Sequence, residues 1–313
     1  MAQPFPRPLC GIIPPMVTPL TDRDTLDRAG LERLVEHILA GGVHGLFILG
    51  TTGEGPSLSY RLRCELIDAV CEQTAGRVPV LVGVTDAAFT ESVNLADYAA
   101  DAGAAAVVLS APFYFPADQA ELQRYVEHIA AELPLPIFLY NMPSHTKLVF
   151  EPETVARLIE LPGIVGLKDS SANMVYFRRV RQLTAAHADF TLLIGPEELL
   201  AEAVLLGGHG GVNGGANLFP RLYVELYEAA QRRDMDRVAQ LHVRVMQVRE
   251  KIYEVAHGGA RVAKALKHAL SCLDICDDTM AEPFGRLPEP ERDLIRRHLE
   301  ALNLPEASLP SKR

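Results

Sequence analysis

The chain has 313 residues, and its 40 acidic side chains outnumber its 30 basic ones to give a formal charge of −10. With 48% hydrophobic residues, 22% charged residues and 23 glycines, the composition is globular and excludes disordered, collagen-like and disulfide-scaffold proteins. No stretch gathers lysine and arginine into a basic stripe, so we expect no nucleic-acid partner.

The cysteines and the apolar segments indicate the compartment. The five cysteines are odd in number and form no CxxC pair, which predicts reduced thiols rather than disulfides or a zinc site. The first 20 residues have prolines where a signal peptide needs an unbroken apolar core, and no later segment reaches about 18 apolar residues without a charge. We therefore expect a cytoplasmic protein with no membrane partner.

Short apolar runs alternate with amphipathic stretches between residues 11 and 215, which predicts alternating strands and helices. Most runs are continuous in Val, Ile, Leu and Ala, as is typical of strands buried on both faces. In the first helical stretch, Leu31, Leu34 and Ile38 recur at helical spacing, and Gly41 follows where a C-terminal cap is expected. The eight predicted strands are Gly11–Val17, Gly45–Gly50, Pro79–Thr85, Ala105–Ala111, Pro136–Asn141, Ile164–Asp169, Phe190–Gly195 and Gly210–Gly214.

The strands and helices recur about every 25 to 35 residues, the spacing of βαβ units. Eight such units predict a (β/α)8 TIM barrel of the α/β class in residues 1–231. Residues 232–313 contain only helical patterns and predict a C-terminal helical extension packed on the barrel. A doubly wound open sheet is the alternative, but its GxGxxG fingerprint is absent.

Lys168 is the first candidate catalytic residue, because it directly follows an apolar run and catalytic groups of barrels stand at the C-terminal ends of strands. Burial lowers the pKa of a lysine by up to roughly 3 to 5 units, and the neutral amine can then form an imine with a carbonyl substrate. The alternative is a structural ion pair between Lys168 and either Asp169 or Glu54 at the rim of the barrel.

Three further segments fit imine chemistry. Tyr140 ends the preceding apolar run, so we expect its hydroxyl beside Lys168, where it can move protons. The segment Gly50-Thr-Thr-Gly-Glu-Gly-Pro offers hydroxyl and backbone N–H groups that suit a carboxylate. The glycine-rich segment from Gly207 to Gly215 predicts a cavity wall. The structural alternatives are a packing tyrosine, a tight turn and a flexible loop.

Two other chemistries are disfavoured. Ser144 to Lys147 matches the SxxK motif of penicillin-binding enzymes, but the companion SDN and KTG motifs are missing. The sequence has no HxH or HExxH motif, so we expect no metal site. An imine itself withdraws electrons from the substrate, and we therefore expect no cofactor.

Together, Gly50-Thr-Thr-Gly-Glu, Tyr140-Asn-Met-Pro-Ser, Gly166-Leu-Lys-Asp and Gly207-Gly-His-Gly resemble the dihydrodipicolinate synthase and N-acetylneuraminate lyase family. The resemblance implies a TIM barrel with a C-terminal helical extension and a lysine, here Lys168, that forms an imine with pyruvate or another 2-oxo acid. It further implies that Tyr140 transfers protons, that Thr52 relays them, and that Thr51 and Thr52 hold the 2-oxo acid carboxylate.

The resemblance also implies an assembly. In the synthases a further tyrosine reaches the site from a neighbouring subunit, and Tyr114 resembles it. We therefore expect a homo-oligomer, a dimer or a tetramer, and the family favours the tetramer.

His145 departs from the pattern of the synthases. Their motif runs YNVPSRT, and its arginine binds the carboxylate of the second substrate, whereas this chain has His145 at that place. A histidine that is mostly neutral at pH 7 does not reproduce a permanent bidentate clamp. We therefore expect an aldolase or dehydratase for a polyhydroxylated or bulky 2-oxo acid, with His145, Val212 and Asn213 in contact with it.

Two alternatives stay open at this point. One is a true dihydrodipicolinate synthase with a changed carboxylate site, in which Lys147 supplies the missing charge. The other is a barrel that binds a 2-oxo acid without catalysis.

Overall fold

The computed structural model describes residues 5–302. Eight of its ten strands form one parallel sheet, and the other two, β2 and β3, pair as an antiparallel hairpin. The strands are β1 (Gly11–Ile12), β2 (Leu20–Asp22), β3 (Thr25–Leu26), β4 (Leu46–Ile48), β5 (Val80–Gly83), β6 (Ala106–Ser110), β7 (Ile137–Asn141), β8 (Ile164–Asp169), β9 (Thr191–Ile194) and β10 (Gly210–Gly211).

The parallel sheet is curled and closes on itself. Its order is β1-β10-β9-β8-β7-β6-β5-β4, so each strand pairs with its chain neighbours and β1 pairs with β10. A parallel bridge between Pro15 and Phe47 joins the chain beyond β1 to β4 and closes the barrel. The predicted (β/α)8 TIM barrel is thereby confirmed.

Twelve helices surround and follow the strands in the described part of the chain. The first begins after Asp27, whose side chain accepts a hydrogen bond from the backbone N–H of Gly30, and it ends at the predicted cap Gly41. The helices are α1 (Arg28–Ala40), α2 (Tyr60–Thr74), α3 (Phe89–Asp101), α4 (Gln119–Glu132), α5 (Pro143–Thr146), α6 (Pro152–Leu158), α7 (Met174–Leu183), α8 (Leu200–Leu205), α9 (Pro220–Gln231), α10 (Met235–Lys251), α11 (Arg261–Cys272) and α12 (Glu289–Leu302).

Several strand boundaries differ from the prediction. The first strand ends at Ile12 rather than Val17, since Pro14 and Pro15 have no N–H to donate to a neighbouring strand. The last ends at Gly211 because the chain turns into a short 3₁₀ helix at Gly214–Asn217. The hairpin of β2 and β3 was missed, since its two short strands lack a run of apolar residues.

Side chains of alternate strand positions fill the inside of the barrel, while the others pack between the strands and the helices. The inner cluster includes Phe47, Phe138, Val165 and Leu193, and Tyr140 belongs to it at the C-terminal end of β7. The side chain of Tyr140 therefore packs on the residues that fill the barrel.

The helices α10 to α12 follow the barrel, and α10 packs on α9. The division into a barrel (1–231) and an extension (232–313) stays a prediction, and residues 303–313 of it lie outside the described residues. None of the described helices has the length and apolar character that a membrane crossing requires.

Candidate active site

Tyr140 and Lys168 meet at the C-terminal ends of β7 and β8. The register of these two parallel strands pairs the two residues directly. The Nζ atom of Lys168 lies 4.0 Å from the centroid of the Tyr140 ring and 4.8 Å from the centroid of the Phe47 ring. Lys168 is only 5% exposed, so the amine stands in an aromatic environment screened from solvent.

Lys168 has no carboxylate partner among the described residues. Asp169 instead accepts hydrogen bonds from Asn141 Nδ2 (2.9 Å) and from Ser171. Glu54 pairs with Lys267, with 2.5 Å between Nζ and Oε1. The structure thus contradicts the alternative of a structural ion pair, and burial lowers the pKa of Lys168 from its ordinary value.

The hydroxyl of Tyr140 has partners that stabilise its ionised form. Burial alone raises the pKa of Tyr140, but the charge of Lys168 and hydrogen bonds from Thr51 and Ser170 outweigh it and leave that pKa below its ordinary value. Thr51 Oγ1 lies 3.4 Å from the Tyr140 hydroxyl. Of the two threonines, Thr51 therefore contacts the Tyr140 hydroxyl, and the relay role that the resemblance gives to Thr52 stays a prediction.

Two adjoining cavities open around Tyr140. The larger, of about 360 Å³, is lined by Lys168, Thr51, Thr52 and Ser170 among others. The smaller, of about 310 Å³, does not reach Lys168 and has a more apolar wall that includes Phe113. The residues that line both are Thr51, Tyr140, Met142, His145, Gly259 and Ala260. Cavities of this volume suit small molecules.

His145 lies in the short helix α5 and lines both cavities, as the sequence predicts for a substrate contact. Burial, followed by the charge of Lys147, lowers the pKa of His145, so the ring is neutral at pH 7. Lys147 lines neither cavity, and its ammonium donates to the carbonyl of Ser144 at 2.6 Å. Neither side chain therefore places a fixed positive charge, like that of an arginine, in the wall of either cavity.

The glycine-rich segment contributes less to the cavity than the sequence predicts. Val212 and Gly214 line the larger cavity, whereas Asn213 is buried behind it and donates to the carbonyl of Gly195. A Cβ atom on Gly210 would lie 1.9 Å from the carbonyl oxygen of Gly11. That glycine is therefore required for the close approach of β10 to β1.

Tyr114 stands apart from the site of its own chain. It lies in the connection between β6 and α4, is 76% exposed, and lines neither cavity. The neighbouring Phe115 is 77% exposed and packs edge-to-face on it. This aromatic pair is presented to solvent.

Sequence reasoning missed the part that the C-terminal helices play in the site. Arg249, Tyr253, Glu254 and residues 259–263 all line the larger cavity. The glycines at 258 and 259, between two helical patterns, were a usable signal of a turn there. Nothing in the helical pattern indicates that this turn faces the strand ends.

Comparison with known proteins identifies the family of the chain. The profile of the Dihydrodipicolinate synthetase family matches residues 8–302. A 4-hydroxy-tetrahydrodipicolinate synthase of Methanopyrus kandleri is 33% identical over 94% of this chain and 96% of its own.

Two solved structures are also similar. A dihydrodipicolinate synthase from Bacteroides thetaiotaomicron is 55% identical, with a TM-score of 0.92 over 95% of this chain and 99% of that chain. A prophage protein from E. coli K12, solved in complex with pyruvate, is 30% identical, with a TM-score of 0.89 over 94% of this chain and 99% of that chain. The profile match and these relatives show that the chain belongs to the dihydrodipicolinate synthetase family, a family of lysine Schiff-base lyases.

Proposed function

We propose that Lys168 joins covalently to C2 of pyruvate or a related 2-oxo acid. The neutral amine adds to the ketone, and the carbinolamine loses water to give an imine, which is protonated. Removal of a proton from C3, or cleavage of the bond between C3 and C4, then leaves an enamine that can add to an aldehyde in the reverse direction. The observation that carries this proposal is the buried Lys168, without a carboxylate partner, beside the Tyr140 hydroxyl.

Protons move through Tyr140 in this scheme. Its phenol protonates the leaving hydroxyl of the carbinolamine and accepts a proton from the substrate, and Thr51 at 3.4 Å passes protons to and from it. The backbone and hydroxyls of Thr51 and Thr52 hold the carboxylate of the 2-oxo acid in the larger cavity. This contact keeps the reacting carbon aligned with Lys168.

The relatives support pyruvate as the first substrate. The similar prophage protein was solved in complex with pyruvate, and it belongs to the same family as this chain. A neutral His145 supports an aldolase or dehydratase whose substrate is polyhydroxylated or bulky. It does not favour a synthase that binds the carboxylate of a second substrate.

The exposed Tyr114 supports an assembly. Tyr114 is exposed and lines neither cavity of its own chain, and we propose that it reaches the smaller cavity of a neighbouring subunit. We propose a homotetramer in the cytoplasm, in which the free cysteines stay reduced.

Exchange of the methyl protons of pyruvate in D₂O tests the function without knowledge of the second substrate. An enamine picks up deuterium at C3, so the wild type is expected to deplete the methyl signal in proton NMR, and Lys168→Met is expected to leave it unchanged. Equal exchange rates in the wild type and Lys168→Met would contradict the proposal. A variant of the uninvolved Lys251, Lys251→Met, is the matched control and should exchange like the wild type.

A further inference from the structure

An ion pair between Glu54 and Lys267 links the C-terminal helices to the turn that carries Thr51 and Thr52. The side chain of Lys267 is 0% exposed and that of Glu54 is 2% exposed, and 2.5 Å separate Nζ and Oε1. Lys267 also donates to the carbonyl of Thr279 at 2.7 Å. The backbone N–H of Ala281 donates to the second oxygen of Glu54 at 2.8 Å. Glu54 is thus held from the extension on both carboxylate oxygens.

The backbone of this turn needs external support. Glu54 has a φ of 57° and Leu49 a φ of 58°, in the left-handed region that side chains other than glycine rarely adopt. On the barrel side, Thr18 Oγ1 donates to the carbonyl of Gly53 at 2.7 Å. Among the described residues, the carboxylate of Glu54 is held by Lys267 and by the backbone N–H of Ala281, both of which belong to the extension. Strained conformations persist where the surroundings impose them.

The turn positions reacting groups directly. The backbone N–H of Glu54 donates to the carbonyl of Thr51, and Thr51 in turn contacts the hydroxyl of Tyr140. A shift of Glu54 therefore moves both the carboxylate-binding groups and the proton relay. Lys267 lines neither cavity, so its replacement acts on substrate binding through the groups that it contacts, and of these Glu54 lies in the turn.

We propose that Lys267 is a positioning residue: through Glu54 it fixes the turn in the conformation in which Thr51 and Thr52 bind the carboxylate of the 2-oxo acid. This inference rests on the proposed function. It makes the C-terminal extension a part of the 2-oxo acid site, although the extension supplies no group that reacts.

The test is a double variant that removes both charges and keeps the shape of the buried pair, Glu54→Gln with Lys267→Met. A single replacement leaves one charge buried without a partner, which destabilises the fold. The readout is the concentration of pyruvate that gives half-maximal borohydride trapping on Lys168. We expect this concentration to rise about tenfold or more in the double variant, because misplaced binding groups lose alignment.

A neighbouring buried pair provides the matched control. His268 follows Lys267 on α11 and lies 3.0 Å from Asp278, and neither side chain bonds to Glu54 or lines either cavity. The double variant His268→Gln with Asp278→Asn should keep the half-saturating concentration of the wild type. A folded Glu54→Gln, Lys267→Met variant with wild-type half-saturation would overturn the proposal, since the pair would then serve stability alone.

Glu54→Asp keeps the experiment decisive if the double variant does not fold. It preserves both charges but shortens the carboxylate arm by one methylene, so the turn must shift toward Lys267. The expected result is again a higher half-saturating concentration of pyruvate with trapping retained at saturation, and an unchanged value would refute the proposal. Failure of the wild type itself to form an adduct would instead refute the proposed function.

Discussion

Tyr140 and Lys168 are register partners on neighbouring parallel strands, and the Nζ atom of Lys168 lies 4.0 Å from the centre of the Tyr140 ring. Both side chains leave rigid strand ends rather than loops, which fixes their separation. In the proposed mechanism, the phenol therefore stands where the carbinolamine and the enamine of a Lys168 adduct exchange protons.

The first prediction concerns the pH dependence of exchange. Burial lowers the pKa of Lys168 from its ordinary 10.5, and only the neutral amine attacks the ketone. The rate of pyruvate methyl exchange at limiting pyruvate should therefore rise with pH, with a midpoint below 10.5. A rising limb centred at or above 10.5 would contradict a desolvated lysine.

The second prediction separates the roles of the two partners. Tyr140→Phe removes the hydroxyl and keeps the ring that packs on Lys168, so methyl exchange should slow by about 10²-fold or more. Borohydride should still trap pyruvate on Lys168 in this variant, although more slowly. Tyr176→Phe is the control, because that buried hydroxyl bonds to the carbonyl of Phe150 and lines neither cavity. An exchange rate equal to that of the wild type in Tyr140→Phe would remove the phenol from the mechanism.

The third prediction concerns the second substrate. His145→Arg adds a permanent cation to a position that lines both cavities. A hydrogen bond to a charged group contributes about 1.5–3 kcal/mol, so kcat/KM for an aldehyde that carries a carboxylate should rise by about tenfold or more. In the wild-type background, Lys147→Ala should leave kcat/KM for the same aldehyde unchanged, since the ammonium of Lys147 lies outside both cavities. Should Lys147→Ala reduce it severalfold in the wild-type background, Lys147 would be the carboxylate partner and the role given to His145 would fail.

The fourth prediction concerns stability in the extension. Burial alone lowers the pKa of His268, but Asp278, Cys272 and the carbonyl of Arg292 raise it to about 9. Because the folded value exceeds the ordinary 6.5, the protonated ring contributes stability that is fully present below pH 6.5 and is lost as the pH rises through about 9. His268→Gln should lower Tm more at about pH 6 than at about pH 9.5. Equal losses of Tm at both pH values would show that packing rather than charge stabilises this site.

The barrel and the pairing of Tyr140 with Lys168 could be predicted from the sequence. Buried parallel strands are continuous apolar runs, and residues at the ends of consecutive runs become neighbours once the strands pair in order. The predicted bounds of these two strands agree with the observed bounds of β7 and β8 to within one residue.

Other features depend on contacts that no local pattern indicates. Thr51 contacts Tyr140 from a segment flanked by left-handed backbone at Leu49 and Glu54, and neither residue type favours that conformation. The pairing of Glu54 with Lys267 joins residues that are far apart in the chain, and a lysine in an amphipathic helix is usually exposed to solvent.

The most direct test of the central claim is to incubate the protein with pyruvate and borohydride and to map the modified peptide by mass spectrometry. The account predicts one reduced pyruvate adduct, on the peptide that contains Lys168, and its loss in Lys168→Met. An adduct on a different lysine, or no adduct at saturating pyruvate, would contradict it.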